Sequence, residues 1–290
     1  MSGSDKLIQR AEALLARVEQ LLPASPVQTD WKSIAFRWRK RNGRGAIEVV
    51  RHVHRIGLGD LCGIDGQKKI VEQNTRQFVD GHPANNVLLT GARGTGKSSL
   101  IKALLNKYAP RGLRVIEVEK QDLIDLPDIV EMIAERPERF VLYCDDLSFE
   151  ADEPGYKALK VVLDGSVAAA SENCLIYATS NRRHLMPEFM SENLEAKRVD
   201  DEIHPGETVE EKISLSERFG VWVSFYPFDQ DEYLEIVARW LAHFKVARAN
   251  SDAVRQAALQ WALQRGSRSG RVAWQFARDW AGRSRIARGQ

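Results

Sequence analysis

Gly91-Ala92-Arg93-Gly94-Thr95-Gly96-Lys97-Ser98 fits the pattern G-x-x-x-x-G-K-[ST] at every fixed position. Few short sequences confine a fold as tightly. The preceding Asn86-Val87-Leu88-Leu89-Thr90 reads as a short buried strand, and Ser98 to Tyr108 reads as a helix. Strand, glycine-rich loop and helix in this order form a phosphate cradle. The glycines let backbone N–H groups turn toward an anion, and the helix N-terminus adds a partial positive charge. Residues Gly91 to Ser99, Ser99 included, are therefore expected to contact nucleotide. Lys97 is expected to neutralise the β- and γ-phosphates, and the Ser98 hydroxyl to hold Mg²⁺. The implied ligand is a nucleoside triphosphate, with ATP expected.

Composition sets outer bounds. The 290 residues suffice for one large or two modest domains, and 43% hydrophobic with 28% charged content suits a globular chain. No apolar run reaches membrane-spanning length, and the N-terminus lacks the apolar core of a signal peptide. Cys62, Cys144 and Cys174 are scattered, and the last two lie in apolar runs that read as strands. Reduced core thiols and a cytoplasmic location are the expectation. His52 and His54 are the one close histidine pair, which a strand face explains as well as a metal does.

The net charge of +2 conceals an uneven distribution. Residues 31–55 carry eight Lys/Arg against Glu48, and residues 265–290 carry seven Arg against Asp279. Such ends meet nucleic acid or acidic partners, or are solvated faces. Ile34, Phe36 and Trp38 alternate with Ala35, Arg37 and Arg39, and Asn42-Gly43 supplies a turn before Ala46 to Val50. This predicts a β-hairpin with an apolar and a basic face. Arg37, Arg39, Lys40, Arg41 and Arg44 either follow a DNA backbone or solvate an edge strand.

Upstream, Leu7, Ala11, Leu14, Val18 and Leu21 recur at spacings of four and three, predicting an amphipathic helix over 5–22. It docks on the chain's own core or pairs with another chain. From Leu58 to Phe225, strands and helices alternate as in a parallel sheet covered on both faces. The strand candidates are 86–90, 113–118, 140–144, 174–179 and 221–225, with a helix over 64–80. Beyond Phe225 the pattern is helical, at about 229–244, 251–265 and 270–282. The expected fold is α/β: a five-stranded parallel P-loop sheet with helices on both faces, then a small α-helical lid domain. The expected divisions are an N-terminal helix and linker (1–26), a basic hairpin extension (27–57), a nucleotide-binding domain (58–225) and the lid (226–290).

The third strand, Phe140-Val141-Leu142-Tyr143-Cys144, ends in Asp145-Asp146. Acids delivered at a strand end downstream of a phosphate loop suit a Mg²⁺-nucleotide site. Asp145 is expected to hold the metal and Asp146 to polarise the attacking water. The fourth strand runs into Ser180-Asn181-Arg182-Arg183, and the fifth is preceded by Leu215-Ser216-Glu217-Arg218-Phe219-Gly220. With these segments the chain resembles the AAA+ ATPases. The resemblance implies that Asn181, with Thr179 second, reaches the γ-phosphate and orients the water. It implies that Arg218 is a finger reaching a neighbouring subunit's ATP, within a homo-oligomer. Gly266-Ser267-Arg268-Ser269-Gly270-Arg271-Val272-Ala273 is similar to the lid element in which an Arg folds over the phosphates. Arg271 fits best, ahead of Arg268. Leu61-Cys62-Gly63-Ile64-Asp65-Gly66-Gln67 looks like the superfamily's leading segment, implying that Gly63 and Ile64 contact adenine. Many relatives carry Glu where this chain has Asp146, shorter by one methylene. Glu150 is a weaker substitute.

The segments "FVLYCDDLSFE", "IYATSNRRHLMPE", "EIHPGE" and "RGSRSGRVAWQFARD" together look like one bacterial family of AAA+ proteins without an assigned role, over roughly residues 31–285. Glu202, His204 and Glu207 in "EIHPGE" suit an acidic loop better than a metal site. The resemblance implies an ATPase that remodels a protein or nucleic-acid partner, or a slow nucleotide-dependent switch or loader. A protein-remodelling role needs a gripping, commonly aromatic loop, and Tyr156 lies in a plausible region for it.

Overall fold

The computed structural model describes residues 29–41, 43–149, 153–164, 172–182, 185, 197–199, 202–204, 215–247 and 249–286. The predicted helix over 5–22, Asn42, Glu150 and residues 205–207 lie outside the described residues.

The chain opens with an antiparallel hairpin, β1 (Ala35–Arg41) and β2 (Arg44–Val49). Helix α1 (Asp65–Val79) follows. Asp65 in its first turn complements the helix dipole, and Val71, Thr75 and Phe78 at spacings of four and three bury one face. Strand β3 (Val87–Gly91) leads through the glycine-rich loop into α2 (Lys97–Tyr108), and β4 (Leu113–Glu117), α3 (Leu126–Ile133), β5 (Arg139–Cys144), α4 (Pro154–Asp164) and β6 (Cys174–Ser180) continue the alternation. A separate two-stranded ladder joins β7 (Lys197–Val199) to β8 (Glu202–His204), pairing Lys197 with His204. Strand β9 (Val221–Phe225) returns to the main sheet.

The sheet runs β2-β1-β4-β5-β6-β3-β9. Its five predicted strands form the parallel block β4-β5-β6-β3-β9. The sheet nevertheless has seven strands rather than five, because the hairpin is not a separate extension of it. Strand β1 pairs in parallel with β4, Ala35 opposite Val115 and Arg37 opposite Glu117. Without the hairpin, β4 would present an open row of N–H and C=O groups.

Period-two alternation divides the interior between the two faces of the sheet. Val87, Leu89, Val141 and Tyr143 face one layer, with α1 and α2 and with Tyr233 and Phe276 from the C-terminal helices. Leu88, Phe140, Leu142 and Cys144 face the other, with Leu126 and Ile129 of α3 and Leu159 of α4. The hairpin supplies both layers, Ala35 to the first and Phe36, Trp38 and Ile47 to the second. Burial pushes the thiols of Cys144 and Cys174 up to about 12; Cys144 is a core group, and the partly buried Cys174 packs against the same layer.

Four of the five basic residues of the hairpin are paired with acids of the chain, and Arg44 is exposed. Arg37 pairs with Glu117 at 2.6 Å, Arg39 with Glu119 at 3.2 Å, Lys40 with Asp125 at 2.8 Å and Arg41 with Glu48 at 2.8 Å. Asp125 also accepts from Trp38 Nε1 at 3.0 Å. Trp38 is 2% exposed. Trp38→Ala therefore empties a large core volume and removes one donor from a buried carboxylate. The expected loss is about 3–5 kcal/mol of stability, read as a fall in the thermal or denaturant midpoint. A loss within the range of surface substitutions would mean that the hairpin is an appendage and not part of the core.

The last 57 described residues are mainly three helices, α5 (Gln230–His243), α6 (Asp252–Arg265) and α7 (Gly270–Ile286). Asp229 caps α5 by accepting from the Glu232 N–H at 2.8 Å, while the Glu232 side chain accepts from the Asp229 N–H at 2.9 Å. Gly266, at φ 64°, ends α6 in the left-handed conformation that suits glycine. No described helix is long and apolar enough to cross a membrane.

Candidate functional site

The loop between β3 and α2 is held at both ends. Gly91 has φ 124°, and a Cβ there would lie 1.9 Å from the Phe225 carbonyl oxygen, so only glycine lets β9 approach this closely. The Ala92 N–H donates to that same oxygen at 3.3 Å. On the far side the Gly270 N–H, at the start of α7, donates to the Gly94 carbonyl at 2.8 Å. A Cβ on Gly94 would come within 2.9 Å of Ser269 and 3.3 Å of Arg271 Cβ. The glycines thus admit the neighbouring strand and the C-terminal helices to the loop.

Lys97 begins α2 and is 6% exposed. Its Nζ donates to the carbonyls of Gly91 at 2.7 Å and Ala92 at 2.8 Å and to Asn181 Oδ1 at 3.1 Å. Burial draws its pKa below the ordinary lysine value, against the opposing pull of Asp145 and Asp146. Ser98 Oγ donates to Asp145 Oδ1 at 2.8 Å, and Thr179 Oγ1 donates to the same oxygen at 2.5 Å. Burial alone would raise the Asp145 pKa. The Thr179 hydroxyl, the nearby Tyr143 phenol and the Ser98 hydroxyl outweigh it and hold Asp145 below the usual carboxylate range.

Asp146 turns into the left-handed region, φ 53°. Its N–H donates to Thr179 Oγ1 at 2.9 Å, and its Oδ1 accepts from Asn181 Nδ2. Its Oδ2 lies 3.7 Å from Arg93 Nη2. The ends of β3, β5 and β6 therefore bring Lys97, Ser98, Asp145, Asp146, Thr179 and Asn181 together.

The donor set fits a hard divalent cation. Ser98 Oγ and an ionised Asp145 are adjacent oxygens, and Mg²⁺ takes one or two carboxylates together with substrate phosphates. The buried Tyr143 hydroxyl, beside them, has no hydrogen bond of normal geometry. Burial and the Asp145 charge hold its pKa far above the ordinary tyrosine value, so it stays a neutral donor. No group of three His, Cys, Asp or Glu residues fit to hold a metal occurs among the described residues.

These residues line the polar end of a cleft of about 680 Å³. Its apolar end is formed by Ile56, Ile64, Phe228, Ile236, Trp240 and Trp274. Arg271 lines the cleft and Arg268 does not. Ile64 lines it as well, whereas Gly63 packs beneath Phe228 instead. Trp240 and Trp274 escaped the sequence reading. They lie at ordinary core spacing on amphipathic helices, and nothing local marks which face closes over a cleft.

Arg218 is absent from the cleft. It precedes β9 at the opposite end of the sheet, and its Nε pairs with Asp164 of α4. Together with Arg139, Glu217 and Gly220 it lines a second cleft, of about 1050 Å³, at the N-terminal ends of the strands. Tyr156, in the region where a gripping loop is expected, lies in α4 and is buried against Phe149 with ring centroids 5.9 Å apart.

Two variants of RuvB from Thermotoga maritima superpose on the chain, each with a TM-score of 0.51, at 17% and 16% identity, covering 78% of this chain. The chain spans 64% of the length of those proteins. Among curated proteins none matches. The likeness shows the AAA+ P-loop fold, in agreement with the strand order and the loop described above. At the level of sequence, the family described as protein of unknown function (DUF815) matches residues 31–284, and the chain belongs to that family.

Proposed function

We propose that this protein binds ATP with Mg²⁺ in the cleft between the sheet and the C-terminal helices and hydrolyses it to ADP and phosphate. The observation that carries the reading is the unbroken set of bonds from Ser98 through Asp145, Thr179, Asp146 and Asn181 to Lys97, all at the polar end of a cleft with an apolar far end. A charged triphosphate and a flat base need that pairing of surroundings.

Ser98 and Asp145 would hold Mg²⁺, whose charge would offset that of the phosphates. Lys97 neutralises the terminal phosphates. Asn181 and Asp146 orient the attacking water. The water oxygen bonds to the γ-phosphorus, and the bond from that phosphorus to the bridging oxygen breaks. Its electron pair leaves with ADP, and the water proton passes to Asp146 or to the phosphate formed. Such chemistry rests on positioning and charge more than on covalent help. Trp240 and Trp274, with Ile64, accommodate the base. Arg271 approaches the phosphates from the lid formed by residues 226–290. Because the lid touches the loop through Gly270 and Gly94, phosphate loss is transmitted to it directly.

The partner is a protein or nucleic acid in the cytoplasm, acted on by a homo-oligomer. DNA is the less favoured of the two, because Arg37, Arg39, Lys40 and Arg41 already have acidic partners within the chain. A slow switch or loader is the second reading, favoured by one observation. Both oxygens of the short Asp146 face other groups of the chain.

The test is ATP binding and steady-state hydrolysis by the full chain over a wide range of protein concentration. Turnover per subunit is expected to rise with concentration as subunits assemble. Tight binding with negligible turnover at every concentration would favour the switch. No nucleotide binding would overturn the proposal.

A further inference from the structure

Resting on the ATPase reading above, one residue of the loop acquires a role that its position in the motif does not require. The pattern G-x-x-x-x-G-K-[ST] leaves its third residue open, and here it is Arg93. The side chain is largely exposed, yet its guanidinium faces Asp146 Oδ2 at 3.7 Å. Asp146 Oδ1 is engaged by Asn181 Nδ2, and Asn181 Oδ1 by Lys97 Nζ. Lys97, Asn181, Asp146 and Arg93 thus form one chain of contacts across the place where a terminal phosphate and its attacking water belong.

A carboxylate that orients water needs an oxygen within hydrogen-bond reach of it. Here one oxygen is taken by Asn181, and the other lies in the field of Arg93. Asp146 has little room to escape. Its backbone sits in the left-handed region, pinned through its N–H to Thr179, and its side chain is one methylene shorter than Glu. Arg93 is the weakest link, with one exposed contact made by a long side chain. It is also the link best suited to a change of partner, because a guanidinium binds phosphate oxygens as readily as carboxylate.

We propose that Arg93 is a positioning residue that restrains Asp146, and that hydrolysis proceeds faster when Arg93 is drawn off it. An acid on an assembling partner does this, so assembly favours the active arrangement. Arg93 then contributes control to a site whose basal turnover it lowers.

The experiment compares steady-state ATP hydrolysis by the full chain carrying Arg93→Ala, Arg93→Lys, Asp146→Asn or Arg93→Ala with Asp146→Asn, with ADP binding measured for each. Arg93→Ala is expected to raise basal kcat about five-fold, the scale of one exposed ion pair, with the KM for ATP little changed. Arg93→Lys should fall between Arg93→Ala and the wild type, since it keeps the charge and loses the planar fork. The gain should vanish on the Asp146→Asn background, which a merely structural effect of Arg93 would not predict. A wild type that hydrolyses ATP alongside an Arg93→Ala protein that is equal or slower overturns the restraint and leaves the ATPase reading standing. ADP binding without hydrolysis by any of the proteins overturns both.

Discussion

Lys97→Ala is expected to lower kcat/KM for ATP by about 10²–10³-fold, the usual consequence of removing one group aimed at developing charge in a water-poor site. The side chain is nearly inaccessible, and its Nζ serves three acceptors, the Gly91 and Ala92 carbonyls and Asn181 Oδ1. Three acceptors match the three donors of an ammonium. Burial disfavours the charge, and Asp145 and Asp146 favour it. This cation, at the start of a helix and beneath a glycine loop, has no carboxylate bonded to it directly among the described residues. It is available to an incoming anion at the expense of two carbonyl contacts and one amide contact. Once the side chain is truncated, water can serve the two carbonyls, so the fold should survive with a nearly unchanged thermal midpoint. Nucleotide affinity should fall along with turnover, because the charge acts on bound ATP as well as on the transition state. Titration with nucleotide and steady-state kinetics on the same protein separate the two effects. Hydrolysis near the wild-type level in a folded Lys97→Ala protein would remove the cleft from consideration as the reaction site.

The polar end of this site was legible because its residues are fixed by local sequence. Gly91, Gly94, Gly96, Lys97 and Ser98 belong to one loop, and Asp145 and Asp146 end one apolar strand. Sequence order alone therefore brings them near one end of a parallel sheet. The apolar end was not legible. Trp240 and Trp274 reach the cleft only because α5 and α7 pack together and α7 starts against the glycine loop, and an amphipathic helix does not declare what its apolar face will meet. The hairpin gives the same lesson for the fold. Alternation in Ile34 to Arg39 predicted two strands correctly. The attachment of β1 to β4 depends on pairings such as Arg37 with Glu117, which lie 80 residues apart. Its basic face looked like a surface for phosphate because the acids that neutralise it, Glu117, Glu119 and Asp125, lie in a segment read for its strand and its helix. The conformation of Asp146 was likewise out of reach. Its φ of 53° accompanies bonds to Thr179 in β6 and to Asn181 just beyond it, which sequence order does not reveal.

Arg218→Ala is expected to lower kcat by about 10³-fold under conditions in which the wild type is assembled, the lower end of what a finger supplied between subunits contributes. The geometry of one subunit argues for action between subunits. Phe225, at the C-terminal end of β9, touches the glycine loop, whereas Arg218 lies beyond the N-terminal end of that strand. Five residues of extended strand separate the ends by about 17 Å, more than an arginine side chain spans. Arg218 therefore cannot serve the phosphates of its own chain while the sheet is intact. Its bond to Asp164, at the end of α4, holds the guanidinium at the rim of the second cleft. Such a half-exposed pair contributes little to stability, so the substitution should leave the thermal midpoint almost unchanged. The decisive measurement mixes two inactive proteins. Lys97→Ala subunits keep Arg218 but have an impaired phosphate site, and Arg218→Ala subunits have an intact site but no finger. Mixed assemblies should recover part of the wild-type turnover, because some interfaces then join an intact site to an intact finger. Wild-type turnover in Arg218→Ala alone would reduce the Asp164 pair to a surface contact, and a mixture as inactive as its components would place the role of Arg218 within its own subunit.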